Sequence, residues 1–289
     1  MMETASANLA HDEFVTIRQF IYDKASIVIE DDQHYLIESR LAPVMEREGV
    51  QTFRHLIQQL QQPASEPLQN RVVNAITTNE TYFFRDVKPF TVLRDKVLPQ
   101  LIERRRTERQ LRFFFGGCSS GQEPYSVAMM LRQSFPDLAT WDLKLIAVDI
   151  SGEMIRRAQE GCYTQFEINR GLPAPLLVKY FERQGLHWRL QQTIRDMVEF
   201  QEMSLVNIFS QLADIDVLFL RNILIYFDEK TRRHLLTRVE HVLRPDGYLI
   251  MGAAEAPIFY STAFETLPGD SSNIFCPKSS PPNSTRIKL

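Results

Sequence analysis

Residues 111–130, LRFFFGGCSSGQEPYSVAMM, limit the fold more than any other stretch, because an apolar run passes through a loop of small residues directly into a helix start. Leu111, Phe113, Phe114 and Phe115 suit a buried strand, and Gly116, Gly117, Ser119, Ser120 and Gly121 leave the loop almost without side-chain bulk. Pro124 fits the first turn of a helix, and Tyr125, Ala128, Met129 and Leu131 give that helix an apolar face. A strand, glycine loop and helix in this order indicate a parallel α/β sheet, in which ligands lie outside the carboxyl ends of the strands.

The next strand pattern, LKLIAVDI at 143–150, ends on Asp149, 28 positions after Gly121. A carboxylate there can accept hydrogen bonds from both hydroxyls of a ribose. The spacing exceeds the roughly 20 residues of a dinucleotide fingerprint and the loop lacks GxGxxG, so an adenosine ligand without a pyrophosphate fits better. The glycines and one aspartate fit equally well a tight strand-to-helix turn with a capping acid.

A chain of 289 residues is long enough for two domains. It has no run of 18 apolar residues, which argues against a membrane span, and its start lacks a basic patch followed by an apolar core, which argues against secretion. A cytoplasmic protein is expected. Cys118, Cys162 and Cys276 form no CxxC spacing, so neither a disulfide framework nor a metal site is expected. A net charge of −3 disfavours a nucleic-acid binder. The acidity is concentrated in residues 1–78, with 6 Lys and Arg against 11 Asp and Glu.

Residues 1–11 read as disordered, and Asp12 as the N-cap of a helix carrying Phe14, Ile17 and Ile21. Three more helical patterns follow, centred on Leu36–Met45, Phe53–Leu60 and Leu68–Ile76, without a strand signal among them. Asn79–Phe90, NETYFFRDVKPF, fits neither a simple helix nor a strand; on its own, Arg85 reads as an ion-pair partner of Asp86 or Glu80. A helix from Phe90 to Ile102 ends in Arg104, Arg105 and Arg106, which suit a solvated helix terminus. Residues 162–178 read as irregular, and 180–194 as a two-stranded hairpin turning at Gly185. Further strands fall at Val198–Phe200, Ile215–Leu220 and Tyr248–Met251, with a turn at Pro245–Gly247 and closing antiparallel strands within 259–276.

The segments NETYFFRDVKPF (79–90), GCSSGQEPYSVAM (117–129), DISGEMIRRAQEGCY (149–163), RNILIYFD (221–228) and LRPDGYLIMGAAE (243–255) occur in an order and spacing that resemble the chemotaxis receptor methyltransferases, the CheR family. The resemblance implies an α/β fold: a Rossmann-like S-adenosylmethionine-dependent methyltransferase sheet at 111–277, with a β-hairpin insertion at 180–195. It also implies a helical N-terminal domain at 12–78, a cofactor-closing linker at 79–110 and a disordered tail at 278–289. The implied cofactor is S-adenosyl-L-methionine, released as S-adenosyl-L-homocysteine, and the implied acceptor is a glutamate on the cytoplasmic helices of methyl-accepting receptors. By match to the family motifs, Asn79, Thr81, Arg85, Gly117, Glu123, Asp149, Ser204, Leu205, Arg221 and Asn222 contact the cofactor, and Arg85 and Tyr226 serve catalysis.

The chain departs from the family at Ser204, where Asn is usual, and at Ala253–Ala254, where His-Ser is common before the Glu at 255. A sensor that binds the cofactor without catalysis, or a methyltransferase with another substrate, are the alternatives. The hairpin has only Gly185 and looks shorter than in relatives that bind a C-terminal receptor peptide, so no such tether is expected. Docking through Arg40, Arg47 and Arg54 is expected instead.

Overall fold

A computed structural model of the chain describes residues 9–255, 263–267 and 273–278. Four helices come first: α1 (His11–Ala25), α2 (His34–Glu48), α3 (Phe53–Leu60) and α4 (Glu66–Ile76). Apolar residues three and four apart give each helix a stripe, and Phe14, Ile17, Leu41, Leu56 and Val72 meet in a core of their own. Gly49, in the left-handed region, ends α2, and the Thr52 side chain accepts the His55 amide to start α3.

Two expectations change here. Ala10, not Asp12, occupies the N-cap of α1, while Asp12 sits in the first turn, where the helix dipole favours its charge. Leu9 is buried and its amide donates to Glu38, so order begins before residue 11.

Lys88–Val92 (α5) and Leu98–Arg104 (α6) are joined through a π-helical turn at Leu93–Val97. Pro99 has no amide to continue the ordinary ladder, and the Leu98 amide reaches back five residues to Leu93.

The chain then runs β1 (Gln110–Gly116), α7 (Gln122–Ser134), β2 (Asp142–Asp149), α8 (Gly152–Glu160), β3 (Cys162–Thr164), α9 (Gln165–Asn169), α10 (Ala174–Tyr180), β4 (Phe181–Gln184), β5 (His187–Leu190) and α11 (Gln192–Arg195). It continues as β6 (Val198–Glu202), α12 (Leu205–Ile208), β7 (Ile215–Leu220), α13 (Glu229–Val242), β8 (Leu243–Met251), β9 (Phe264–Thr266) and β10 (Ile274–Pro277). The main sheet has the order β6-β2-β1-β7-β8-β10-β9, parallel through β8 and antiparallel beyond it. Alternation along a strand divides the core into two layers. Phe113, Phe115, Val217 and Phe219 face the layer with α7, while Phe114, Leu218 and Leu220 face the layer with α13.

Residues 162–178, expected to be irregular, hold β3, α9 and most of α10. β3 pairs with β5, so the hairpin β4–β5 becomes a three-stranded sheet in the order β3-β5-β4. The turn at Pro245–Gly247 lies inside β8 as a bulge between the pairs Ile215↔Leu243 and Val217↔Tyr248. That bulge brings Asp246 to Arg105, which is buried rather than solvated: its Nε donates to Asp216 at 2.8 Å and its other nitrogens to Asp246. The tail expected to be disordered lies, after Lys278, outside the described residues.

Candidate active site

A parallel sheet whose first strand ends in a glycine loop opens a crevice at that end, and here the crevice is a cavity of about 540 Å³. Its walls include Asn79, Thr81, Arg85, Gly117, Glu123, Asp149, Ser204, Leu205, Arg221, Asn222 and Tyr226. Every cofactor and catalytic residue expected from the sequence is therefore gathered around one space, although the positions span residues 79 to 226. A further wall comes from Ala25, Ile27, Val28, Ile29, Glu30, Gln33 and Leu36, at and between the ends of α1 and α2.

The glycine loop is held in a shape that leaves no room for side chains. Gly121 has φ of 88°, and a Cβ there would lie 2.9 Å from the Cβ of Ala158; Gly117 has φ of 68°, and its Cβ would lie 2.9 Å from Ile223. Asp149, at the end of β2, accepts the Ser119 amide on one oxygen at 2.8 Å and the Ser151 amide on the other at 2.9 Å. A carboxylate has about four acceptor positions, so each oxygen keeps capacity for a ligand hydroxyl. Burial pushes the Asp149 carboxyl above its ordinary range, against the pull of these amides. The Ser119 hydroxyl donates to the Asn79 carbonyl at 2.9 Å and fastens the 79–87 segment to the loop.

That segment is strained: Phe84, Asp86 and Val87 all have positive φ, which is most unfavourable for a β-branched residue. It is held by Arg221, whose side chain is 1% exposed and donates to Glu123, to Asp86 at 2.6 Å and to the Arg85 carbonyl at 3.0 Å. Burial pushes the Glu123 carboxyl upward, opposed by Arg221. The ion pairs read from sequence for Arg85 do not form. Asp86 is taken by Arg221, Glu80 pairs with Arg170 at 2.7 Å, and among the described residues Arg85 donates only to the Glu80 carbonyl, at 3.2 Å. Its guanidinium stays half-exposed at the cavity, over the ring of Tyr82. The Tyr226 hydroxyl has no hydrogen-bond partner among the described residues.

Two groups escaped the sequence reading. Glu255 is fully buried and accepts the amides of Asn222, Ile223, Leu224 and Gly252 at 2.6 to 2.9 Å, which fixes the turn from β7 toward Tyr226. The acid after Ala253–Ala254 was a signal for it, but nothing local indicated four amides. Asn222, left-handed at φ of 57° on this turn, lines the cavity, and its Oδ1 is buried without a partner among the described residues.

The second is the contact between α1 and the site. The Tyr22 hydroxyl donates to Asp228 at 2.6 Å, the Val28 amide donates to the Tyr226 carbonyl at 2.9 Å, and Asp228 caps α13 through the Thr231 amide. No metal-binding cluster of His, Cys, Asp and Glu occurs among the described residues.

Comparison with known proteins assigns these parts. Residues 12–77 match the model for the CheR methyltransferase all-alpha domain, and residues 79–272 match that for the CheR methyltransferase SAM binding domain. The chain is 37% identical over 257 residues to chemotaxis protein methyltransferase Cher2 of Pseudomonas putida, covering 87% of this chain and 92% of that protein. It is 38% identical over 252 residues to chemotaxis protein methyltransferase 1 of Pseudomonas aeruginosa, covering 86% and 91%. To the chemotaxis protein methyltransferase of Borreliella burgdorferi it is 33% identical over 253 residues, covering 86% and 89%. With both domain models in sequence and relatives matched over nearly their full length, the chain belongs to the CheR methyltransferase family.

Proposed function

We propose that this S-adenosylmethionine-dependent methyltransferase acts in the cytoplasm on glutamate side chains of methyl-accepting chemotaxis receptors, forming glutamyl methyl esters. The observation that carries the reading is the single cavity in which acceptors for a nucleoside and an amino acid sit beside donors for a carboxylate. Asp149 would hold the ribose, with Ser204 and Leu205 at the adenine. The loop at Gly117, Glu123 and Asn222 would hold the methionine portion, which Asn79, Thr81 and Arg85 close off. Arg221 contributes by fastening Glu123 and Asp86 in place.

The cofactor, when bound, supplies a methyl group on a sulfonium sulfur. A glutamate carboxylate has a reference pKa of about 4.3, so it meets that methyl already ionised and needs no general base. The work left to the chain is orientation, an effect that contributes about 7 to 11 kcal/mol at most. Arg85 and Tyr226 are the donors with capacity to arrange the carboxylate.

Transfer of labelled methyl to receptor-containing membranes, with base-labile release, tests the reading. The rate should be nearly flat from about pH 6.5 to 8.5, fall steeply in Arg85→Ala and fall less in Tyr226→Phe. Base-stable product would place the methyl on another acceptor.

The same reading extends to docking. β4 offers an edge of only four residues and the hairpin turns on Gly185 and Leu186, so little backbone is available for strand addition by a receptor's C-terminal peptide. Arg40 donates to the carbonyls of Ala75, Ile76 and Thr77 and closes the end of α4, which leaves Arg47 and Arg54 exposed, Arg54 beside Asp12 at 3.9 Å and Glu13 at 3.7 Å. Titration with such a peptide should give no low-micromolar binding; binding lost on changing Trp188 would establish a tether. No helix among the described residues is long and apolar enough to cross a membrane.

A further inference from the structure

We propose that Arg232 captures the carboxylate of the incoming acceptor, an assignment that rests on the proposed glutamate substrate. Arg232 lies in the first turns of α13 and lines the cavity beside Tyr226 and Asp228. A cation near a helix N-terminus opposes the dipole, so helix stability does not account for it. Its Nε donates to the Leu224 carbonyl at 2.9 Å, which holds the side chain half-buried against the turn that carries Tyr226. Its two terminal nitrogens have no hydrogen-bond or ion-pair partner among the described residues. The nearby carboxylate of Asp228 is already used by the Tyr22 hydroxyl and the Thr231 amide. A guanidinium fixed at one nitrogen and open at the other two is a ready anion site.

Strand order decides which anion. Along the carboxyl end of the sheet come Ser204 after β6, Asp149 on β2, Gly117 after β1 and Arg221–Asn222 after β7. With neighbouring strands about 4.8 Å apart, a nucleoside at β6 and β2 places the amino-acid end of the cofactor at β1 and β7. Arg232 follows β7 on α13 and stands beyond that end, where the acceptor must arrive. The other cation facing the cavity with bonding capacity, Arg85, sits on the segment fastened to the glycine loop through Asn79 and Ser119. The two arginines therefore divide the work: Arg232 captures the arriving acceptor carboxylate through one oxygen and leaves the other to attack, while Arg85, from the cofactor side, and Tyr226 orient it against the methyl.

The test uses the full chain with Arg232→Gln and Arg232→Lys. Arg232→Gln should raise the KM for receptor membranes roughly tenfold, since a charge-assisted pair is lost, while the affinity for S-adenosylhomocysteine by calorimetry stays unchanged. Arg232→Lys should recover most of the loss. Glutarate should bind the S-adenosylhomocysteine complex of the unaltered protein and fail to bind that of Arg232→Gln, a readout independent of turnover. An unchanged receptor KM, a loss confined to kcat, or an equal loss of cofactor affinity would overturn the assignment. An unaltered protein that transfers no base-labile methyl overturns the glutamate reading itself, and glutarate binding then still decides whether Arg232 is an anion site.

Discussion

Asp216 and Asp149 are both aspartates of the parallel sheet, both buried, and burial pushes both carboxyls above the ordinary range. Asp216 sits near the amino end of β7, paired with Arg105 at 2.8 Å and accepting the Arg112 amide at 2.9 Å, and it borders no cavity in which a ligand site has been described. Asp149 sits at the carboxyl end of β2, bonded only to amides, and faces a cavity. A shifted titration thus marks burial at both ends, and only one of the two carboxyls lines the cavity. The difference is bonding capacity left over: the amino-end cluster closes on itself, whereas the carboxyl end keeps open the second lone pairs of Asp149 and the hydroxyl of Tyr226.

The largest expected effect separates the ends most sharply. Asp216→Ala leaves the Arg105 guanidinium with only its Asp246 partner in a buried setting and should destabilise the fold by about 3 to 5 kcal/mol. Urea denaturation measures it, and S-adenosylhomocysteine affinity should not change. An affinity loss in that variant would mean that the two ends are coupled.

Asp149→Asn should do the reverse, weakening S-adenosylhomocysteine binding ten- to hundredfold, about 1.4 to 2.7 kcal/mol, with a smaller loss of stability than Asp216→Ala. The carboxyl is raised in the folded state, so its own contribution to stability is full at low pH and is lost as pH rises through the folded pKa. Binding runs the other way if the ribose needs the carboxylate. Affinity should fall on acidification with a midpoint above the ordinary value of about 3.9, and calorimetry across pH should find that dependence absent in Asp149→Asn.

The smallest effect concerns Ser204. Restoring the usual residue with Ser204→Asn should tighten cofactor binding by about 0.5 to 1.5 kcal/mol, the net value of one hydrogen bond. No change in calorimetry would mean that the serine already meets the adenine's needs.

The sheet and the site were legible to different depths. Strands such as Ile215–Leu220 and the loop at 116–121 announce themselves because buried parallel strands are continuous apolar runs and small residues mark a close approach. Arg105 was misread because its partners come from Asp216 and a bulge at Asp246, contacts that no local pattern encodes. The same holds for β3, which is a strand only because β5 lies beside it. For Arg85 the neighbours in sequence were the natural partners, yet a more distant arginine, Arg221, had claimed Asp86.

Glu255 carries a consequence for how the molecule is made. Its carboxylate gathers amides from 222 to 224 and from 252, and the cavity it helps to shape also draws on residues near 25, 79, 149 and 204. During synthesis the glycine loop and Asp149 leave the ribosome about a hundred residues before the acid that sets the turn opposite them. A nascent chain short of that acid has the glycine-loop wall of the cavity and lacks the fixed turn that completes it. Under the proposed cofactor assignment, ligand capture waits for the residues just after the last parallel strand, and a chain that stops before them has an unfinished cavity.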